Sequence, residues 1–143
     1  MKKRNFAFMF IACLAFIACE SDNKEAIVEA PPVTELYTLA KNSMEAGEFS
    51  EAANLFDNVE REYPYSIWAS RSQLMSAYAN YEANRYDEAI IGLDRFIQLH
   101  PSNRNTPYAY YLKALCYYEQ ITDVSRDQLI TQKALMILQK IAR

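Results

Sequence analysis

Two stretches of the chain, residues 49–64 (FSEAANLFDNVEREYP) and residues 86–101 (YDEAIIGLDRFIQLHP), repeat one pattern at a distance of 37 residues. In both, an aromatic residue comes first, Glu and Ala follow two and three residues later, and large apolar residues recur before a final Pro. Apolar residues at three- and four-residue spacing are typical of an amphipathic helix, and Pro is typical of the residues just after its end. The repeated helix therefore predicts an all-α chain built from structural repeats, without β-strands.

Each repeat also contains an earlier helix, so the unit is a helix pair. In the first unit this earlier helix has an apolar stripe that consists of Leu36, Leu39, Ala40 and Ser43. Gly47 is expected to end it, and Asn84 takes the corresponding place in the second unit, because these residue types best accept a left-handed backbone. Thr106 is a candidate N-cap for the third unit, with Pro107 at the first helical position. The predicted pairs span about residues 33–66, 70–103 and 107–143, the last of them incomplete.

Length and composition exclude several classes of protein. A chain of 143 residues is enough for one domain. Its two glycines, Gly47 and Gly92, cannot form a glycine-rich nucleotide-binding loop, and its single histidine, His100, excludes a zinc-binding H-E-x-x-H helix. The three cysteines lack zinc-site spacing, so we predict neither a metal nor a cofactor. The net charge of −3 gives no electrostatic basis for binding nucleic acid, which we do not expect as a partner.

The N-terminal residues have the features of a bacterial lipoprotein signal peptide. A basic start precedes an apolar run that is too short to span a membrane. The sequence Phe-Ile-Ala-Cys at residues 16–19 resembles a lipobox, so cleavage before Cys19 and lipidation of Cys19 are expected, while an ordinary cleaved signal or an uncleaved anchor are the alternatives. The predicted domains are a signal peptide (1–18), a lipidated cysteine with a flexible tether (19–32) and a repeat domain (33–143).

The repeat resembles the tetratricopeptide repeat, a solenoid of antiparallel helix pairs. That motif has small residues where the helices cross, and here they are Ala40, Ala52, Ala77 and Ala89. Ser76 and Asn80 depart from the motif, which has apolar residues at their positions. In such solenoids the first helix of each pair lines the concave face. The resemblance therefore implies a candidate substrate groove formed by Tyr37, Leu74, Tyr78, Tyr81, Tyr111 and Tyr118. At each position, packing of the side chain between repeats is the alternative.

Several segments are also similar to the BamD family of outer-membrane assembly lipoproteins. They are residues 64–69, 94–97, 100–101, 107–112 and 116–120. The resemblance implies lipid anchoring at the periplasmic face of the outer membrane. It also implies a role with BamA and other subunits of the BAM complex in inserting unfolded outer membrane β-barrel proteins. In that family further repeats dock BamA, and this chain stops inside its third unit, so we expect it to be a fragment.

The function that follows from this resemblance is that of a scaffold. We expect a non-enzymatic periplasmic lipoprotein that binds segments of β-barrel proteins, because no nucleophile in the sequence has a visible base partner. The alternative is another periplasmic tetratricopeptide lipoprotein that coordinates the cell-envelope or division machinery.

Overall fold

The computed structural model describes residues 31–123 and 127–141, and the predicted signal peptide, Cys19 and most of the tether lie outside these residues. The helices are α1 (Val33–Glu45), α2 (Phe49–Glu62), α3 (Ile67–Glu82), α4 (Tyr86–Leu99), α5 (Thr106–Glu119) and α6 (Gln128–Ile141). They form three consecutive pairs, and the described ranges contain no strand. The predicted all-α class is confirmed. Within the same ranges, no helix combines the length and the hydropathy of a membrane span.

The turns inside the first two pairs have the same backbone geometry. Gly47 has φ +79° and Asn84 has φ +58°, so both predictions of a left-handed turn are confirmed. After Gly47, the Glu48 N–H donates to the Ser43 carbonyl at 2.9 Å, and after Asn84 the Arg85 N–H donates to the carbonyl five residues earlier at 2.8 Å. Each turn is therefore a Schellman motif, which pairs carbonyls that the helix end would leave free.

The core lies where consecutive helices cross. The four alanines at the predicted crossings are at most 1% exposed, so the helices approach closely. Around them, one cluster contains Phe56, while a second contains Leu93, Phe96 and Leu112. Gly92 lies at the crossing of α3 and α4, where a Cβ atom would stand 3.4 Å from that of Ala77.

The backbones of the first helices of the pairs approach one another, whereas those of the second helices do not. Cα atoms of α3 come within 8 Å of those of α1 and of α5. No such approach joins α2 to α4 or α4 to α6 in the described part of the chain. The stack is therefore closed on the side of α1, α3 and α5, and it opens on the side of α2, α4 and α6.

Two local predictions are corrected by the structure. Thr106 is the first residue of α5, and the N-cap is Asn105, without a side-chain capping bond. The Thr106 hydroxyl instead donates to the carbonyl of His100 at 2.7 Å, which fixes the turn before the helix. Leu39 is half exposed, because α1 contacts only α2 and α3 and leaves part of its apolar stripe uncovered.

Candidate functional site

Tyrosine side chains cluster where α3 lies against α5. The rings of Tyr78 and Tyr81 on α3 are stacked with centroids 6.5 Å apart, and those of Tyr108 and Tyr111 on α5 are 6.4 Å apart. Tyr86, at the start of α4, adds a ring 5.9 Å from Tyr81. Tyr118 follows two helical turns after Tyr111 on the same stripe of α5. We call this surface the tyrosine face, and it consists of Tyr78, Tyr81, Tyr86, Tyr108, Tyr111 and Tyr118.

The tyrosine face has an exposed part and a part that rests on the core. Tyr111 and Tyr118 are 47% and 64% exposed, and Tyr108 is exposed to a similar extent. Tyr78 and Tyr81 are partly buried against the core cluster of Leu93 and Phe96. The rings on α5 are therefore available to a ligand, while those on α3 also support the fold.

Two of the six predicted groove residues lie elsewhere. Leu74 is 7% exposed and belongs to the core between α3, α4 and α5. Tyr37 packs against α2 and α3, with its ring centroid 5.4 Å from that of Phe56 and 4.6 Å from that of Trp68. The structure thus brings Tyr78, Tyr81, Tyr111 and Tyr118 to one side. Of the other two residues, Tyr37 joins the first pair to the second, and Leu74 joins the second pair to the third.

The sequence prediction missed several members of this surface. Tyr108 lies three residues before Tyr111, a spacing that places both on one side of a helix and could have identified it. No spacing pattern indicates Tyr86, because it is the first residue of α4 and reaches the tyrosine face only across the α3–α4 turn. Glu82 was also missed, although it follows Tyr78 by one helical turn.

Acidic side chains and burial keep these phenols protonated. A hydrogen bond with the Glu82 carboxylate and burial raise the pKa of Tyr78 to about 12. Burial, and then the charges of Glu119 and Glu82, raise the pKa of Tyr81. Burial followed by the Glu82 charge likewise raises the pKa of Tyr108. Tyr78, Tyr81 and Tyr108 therefore present neutral hydroxyl groups beside the carboxylates of Glu82 and Glu119, which make the local charge negative.

An apolar groove continues from the tyrosine face towards α6. It has a volume of about 510 Å³ and is lined mainly by Tyr118 and Ile121, together with Ala134, Leu135 and Leu138 of α6, while Glu119 and Thr131 add polar side chains to the lining. Aromatic and aliphatic walls of this kind suit the side chains of a bound segment better than a charged group.

The groups with reactive or metal-binding chemistry do not gather at this surface. Cys116 is fully buried beneath it, and burial raises the pKa of its thiol to about 12. In the ranges that the structure describes, no three His, Cys, Asp or Glu side chains are placed to hold a metal ion. The arrangement is suited to binding through aromatic contact and hydroxyl hydrogen bonds.

Comparison with known proteins gives one family. The family model described as YfiO, outer membrane lipoprotein, matches residues 29–143. The outer membrane protein assembly factor BamD of Caulobacter vibrioides is 43% identical over 137 residues, which are 96% of this chain and 45% of that protein. The protein of the same name from Rickettsia prowazekii is 35% identical over 84% of this chain and 47% of its own length. The chain spans less than half the length of these curated relatives.

Proposed function

The chain belongs to the YfiO family of outer membrane lipoproteins, and we propose on that basis that it assists the assembly of β-barrel proteins into the outer membrane. In this proposal it acts as a non-enzymatic scaffold at the periplasmic face and is anchored through a lipid on Cys19. The names of the curated relatives support the assembly role.

The tyrosine face is the observation that carries the proposal at the level of residues. An unfolded β-barrel segment alternates apolar and polar side chains and has unpaired backbone groups. Exposed rings on α5 offer contact area to the apolar side chains, and their hydroxyl groups offer hydrogen bonds to the backbone. The groove between Tyr118 and α6 extends this contact.

The charge of the tyrosine face bears on which segments it prefers. Glu82 and Glu119 form no ion pair within the described residues, and both lie close enough to Tyr81 to raise its pKa. These two negative charges repel a free carboxylate at the end of a bound segment. We therefore propose that the face takes internal or terminal segments whose carboxylate points away from α3.

The partners in this proposal are BamA and the other subunits of the BAM complex. The resemblance of the chain implies that BamA docks on repeats that the family has after residue 143. Co-purification of BamA with a chain extended to the length of its relatives tests this part of the proposal, and its absence from the purified material would contradict it.

Substitution of the exposed tyrosines tests the binding role. Tyr111→Ala with Tyr118→Ala should weaken binding of a peptide from the C-terminal segment of a β-barrel protein by about 2 kcal/mol, roughly thirtyfold, since exposed aromatic anchors dominate such contacts. The same peptide with an amidated C-terminus should bind more tightly than its free acid. Fluorescence anisotropy measures both.

Tyr65 provides a matched control, because it is fully exposed in the loop between α2 and α3. Tyr65→Ala should leave binding unchanged. If both variants bind like the original chain while all three have the same melting temperature, the tyrosine face is not the binding surface.

A further inference from the structure

A second groove lies on the opposite side of the stack from the tyrosine face. The backbones of the second helices α2 and α4 stay apart, with no Cα atoms within 8 Å of each other, and α3 forms the floor between them. This groove, which we call the α2–α4 groove, has a volume of about 700 Å³. Its lining includes Asn54, Asp57, Ser76, Asn80, Glu88 and Ile91.

The floor of the α2–α4 groove is polar where a helix crossing is normally apolar. Asn80 is only 9% exposed, yet its Oδ1 atom has no hydrogen-bond partner. The Nε atom of Arg85, at the end of the groove, is also buried and unpartnered. Ser76 lies one turn before Asn80 and lines the same floor. Buried polar groups of this kind are nearly always paired, so these side chains indicate a partner outside the chain.

The chemistry of the floor matches a polypeptide backbone. A carboxamide carries both a donor and an acceptor, as a peptide unit does, and a guanidinium adds further donors. Along α4 the groove extends from Arg85 to Arg95, which is about 15 Å at the rise of a helix. An extended chain covers that distance with about five residues.

The charged and apolar side chains on the groove walls indicate which side chains a partner would place there. Arg95 of α4 forms an ion pair with Glu60 of α2 across one end. Asp57 and Glu88, which also line the groove, form no ion pair within the described residues. Ile91 is 69% exposed at the rim. Among the described residues, the unpaired charges of the lining are therefore the carboxylates of Asp57 and Glu88 and the guanidinium of Arg85, with one apolar contact beside them.

We propose that the α2–α4 groove binds an extended segment of a partner protein, held through its backbone by Asn80 and Arg85, with a basic side chain towards Asp57 and Glu88 and an apolar one against Ile91. This site is separate from the tyrosine face and does not depend on the function proposed above.

The probe for this site is a pool of acetylated and amidated hexapeptides with one lysine and one leucine among serines and threonines. Added to the detergent-solubilised, ¹⁵N-labelled full chain, the pool should shift the NMR signals of the α2–α4 groove, including the Asn80 side-chain amide. A pool with aspartate in place of lysine should bind at least fivefold more weakly. The proposal would be overturned if both pools shifted the NMR signals of the groove residues equally, or if neither pool shifted them.

Two variants separate binding from folding. Asn80→Leu should weaken binding at least tenfold while the melting temperature stays the same or rises, because the unpaired carboxamide is replaced by an apolar group. A lower melting temperature with unchanged binding would show that Asn80 only supports the fold. Asp57→Asn with Glu88→Gln changes only exposed side chains. This double variant should bind the lysine-containing pool at least fivefold more weakly, even if Asn80→Leu does not fold.

Two control variants lie outside the groove. Glu51→Gln removes an exposed charge from α2 without touching the lining, and it should leave binding unchanged. Tyr111→Ala on the tyrosine face should do the same. If Tyr111→Ala weakens binding of the peptide pool as much as Asn80→Leu does, the peptides bind on the tyrosine face and the proposal fails.

Discussion

Gly47 and Asn84 occupy equivalent turns with different side chains. Both have positive φ, and both precede an N–H that closes a Schellman motif. A Cβ atom at Gly47 would meet no atom within 4 Å, so a side chain there affects the backbone conformation and not the packing. Gly47 therefore isolates the cost of left-handed backbone in this fold, whereas the Asn84 Oδ1 atom also accepts a hydrogen bond from the Tyr86 hydroxyl at 2.7 Å.

Substitutions at these turns should have opposite effects. Gly47→Ala should lower the free energy of unfolding by about 1–2 kcal/mol, because a Cβ disfavours left-handed backbone. Asn84→Gly should raise it by less than about 1 kcal/mol, since glycine adopts that conformation without a steric cost, while the exposed hydrogen bond from Tyr86 is lost. Urea unfolding followed by helical circular dichroism measures both, and equal signs for the two variants would contradict the explanation.

The fold should protect the Cys116 thiol from reaction. In turn, the buried thiol should make the folded state less stable in alkaline solution. Burial raises its pKa from 9.0 to about 12, so between these values the unfolded chain loses a proton that the native chain keeps. Stability should therefore be complete below pH 9 and fall as the pH rises towards 12. Unfolding midpoints at pH 8 and pH 11 measure the loss.

A chain with Cys13→Ser and Cys19→Ser leaves Cys116 as its one thiol, and this thiol should react with Ellman's reagent at pH 8 only as fast as the chain unfolds. Immediate reaction of the native chain would show that the thiol is accessible. Cys116→Val provides the control for the pH effect, because it keeps an apolar side chain at the site without a titrating group.

Among the helices, α3 and α6 differ most in how they are covered. Helix α3 contacts α1, α2, α4 and α5, so polar residues such as Ser72 and Gln73 are buried along with its apolar ones. Helix α6 contacts only α5, and Ala134 is its one buried residue among those described. It exposes Leu129, Leu135, Met136 and Leu138, of which Leu135 and Leu138 line the groove beside Tyr118.

A polypeptide of residues 33–143 should self-associate through α6. Leu129 and Met136 are 74% and 60% exposed and lie two turns apart on one stripe, where apolar contact with a second copy removes them from water. Leu129→Glu with Met136→Glu should restore a monomer in light scattering. Ile67→Glu is the control, because Ile67 is an equally exposed apolar residue at the start of α3 and its change should leave association intact. A monodisperse original polypeptide would contradict this prediction.

For the whole molecule, attachment to the membrane is proposed to depend on one cysteine. Cys19→Ala in the full chain, expressed in a Gram-negative host, should prevent lipidation and move the protein out of the membrane fraction. Cys13→Ala is a matched control, since the same Phe-Ile-Ala-Cys sequence precedes it at residues 10–13. Fractionation with intact mass measures both. Unchanged partition of Cys19→Ala, or loss of the lipid in Cys13→Ala, would refute lipidation at Cys19.

The period, the helix pairs and the left-handed turns were all predictable from the order of the residues along the chain. These features depend on interactions within a few residues: apolar spacing along a helix, the conformational freedom of Gly47 and Asn84, and the position of Pro64 and Pro101 after the helices. The start of α5 was missed by one residue, because the Thr106 hydroxyl bonds to the preceding turn and not to the helix N-terminus.

Which side chains are available to a ligand depends on how the helices pack against one another. Leu74 and Tyr37 have the same helical spacing as the exposed tyrosines, but neighbouring helices cover them, whereas Tyr111 and Tyr118 lie on a helix with an open side. Asn80 similarly departs from the repeat pattern in the sequence, yet its place on the floor of a groove depends on the separation of α2 from α4. The burial of a side chain depends on the neighbours that the fold brings around it. It cannot be inferred from the spacing of residues along one helix.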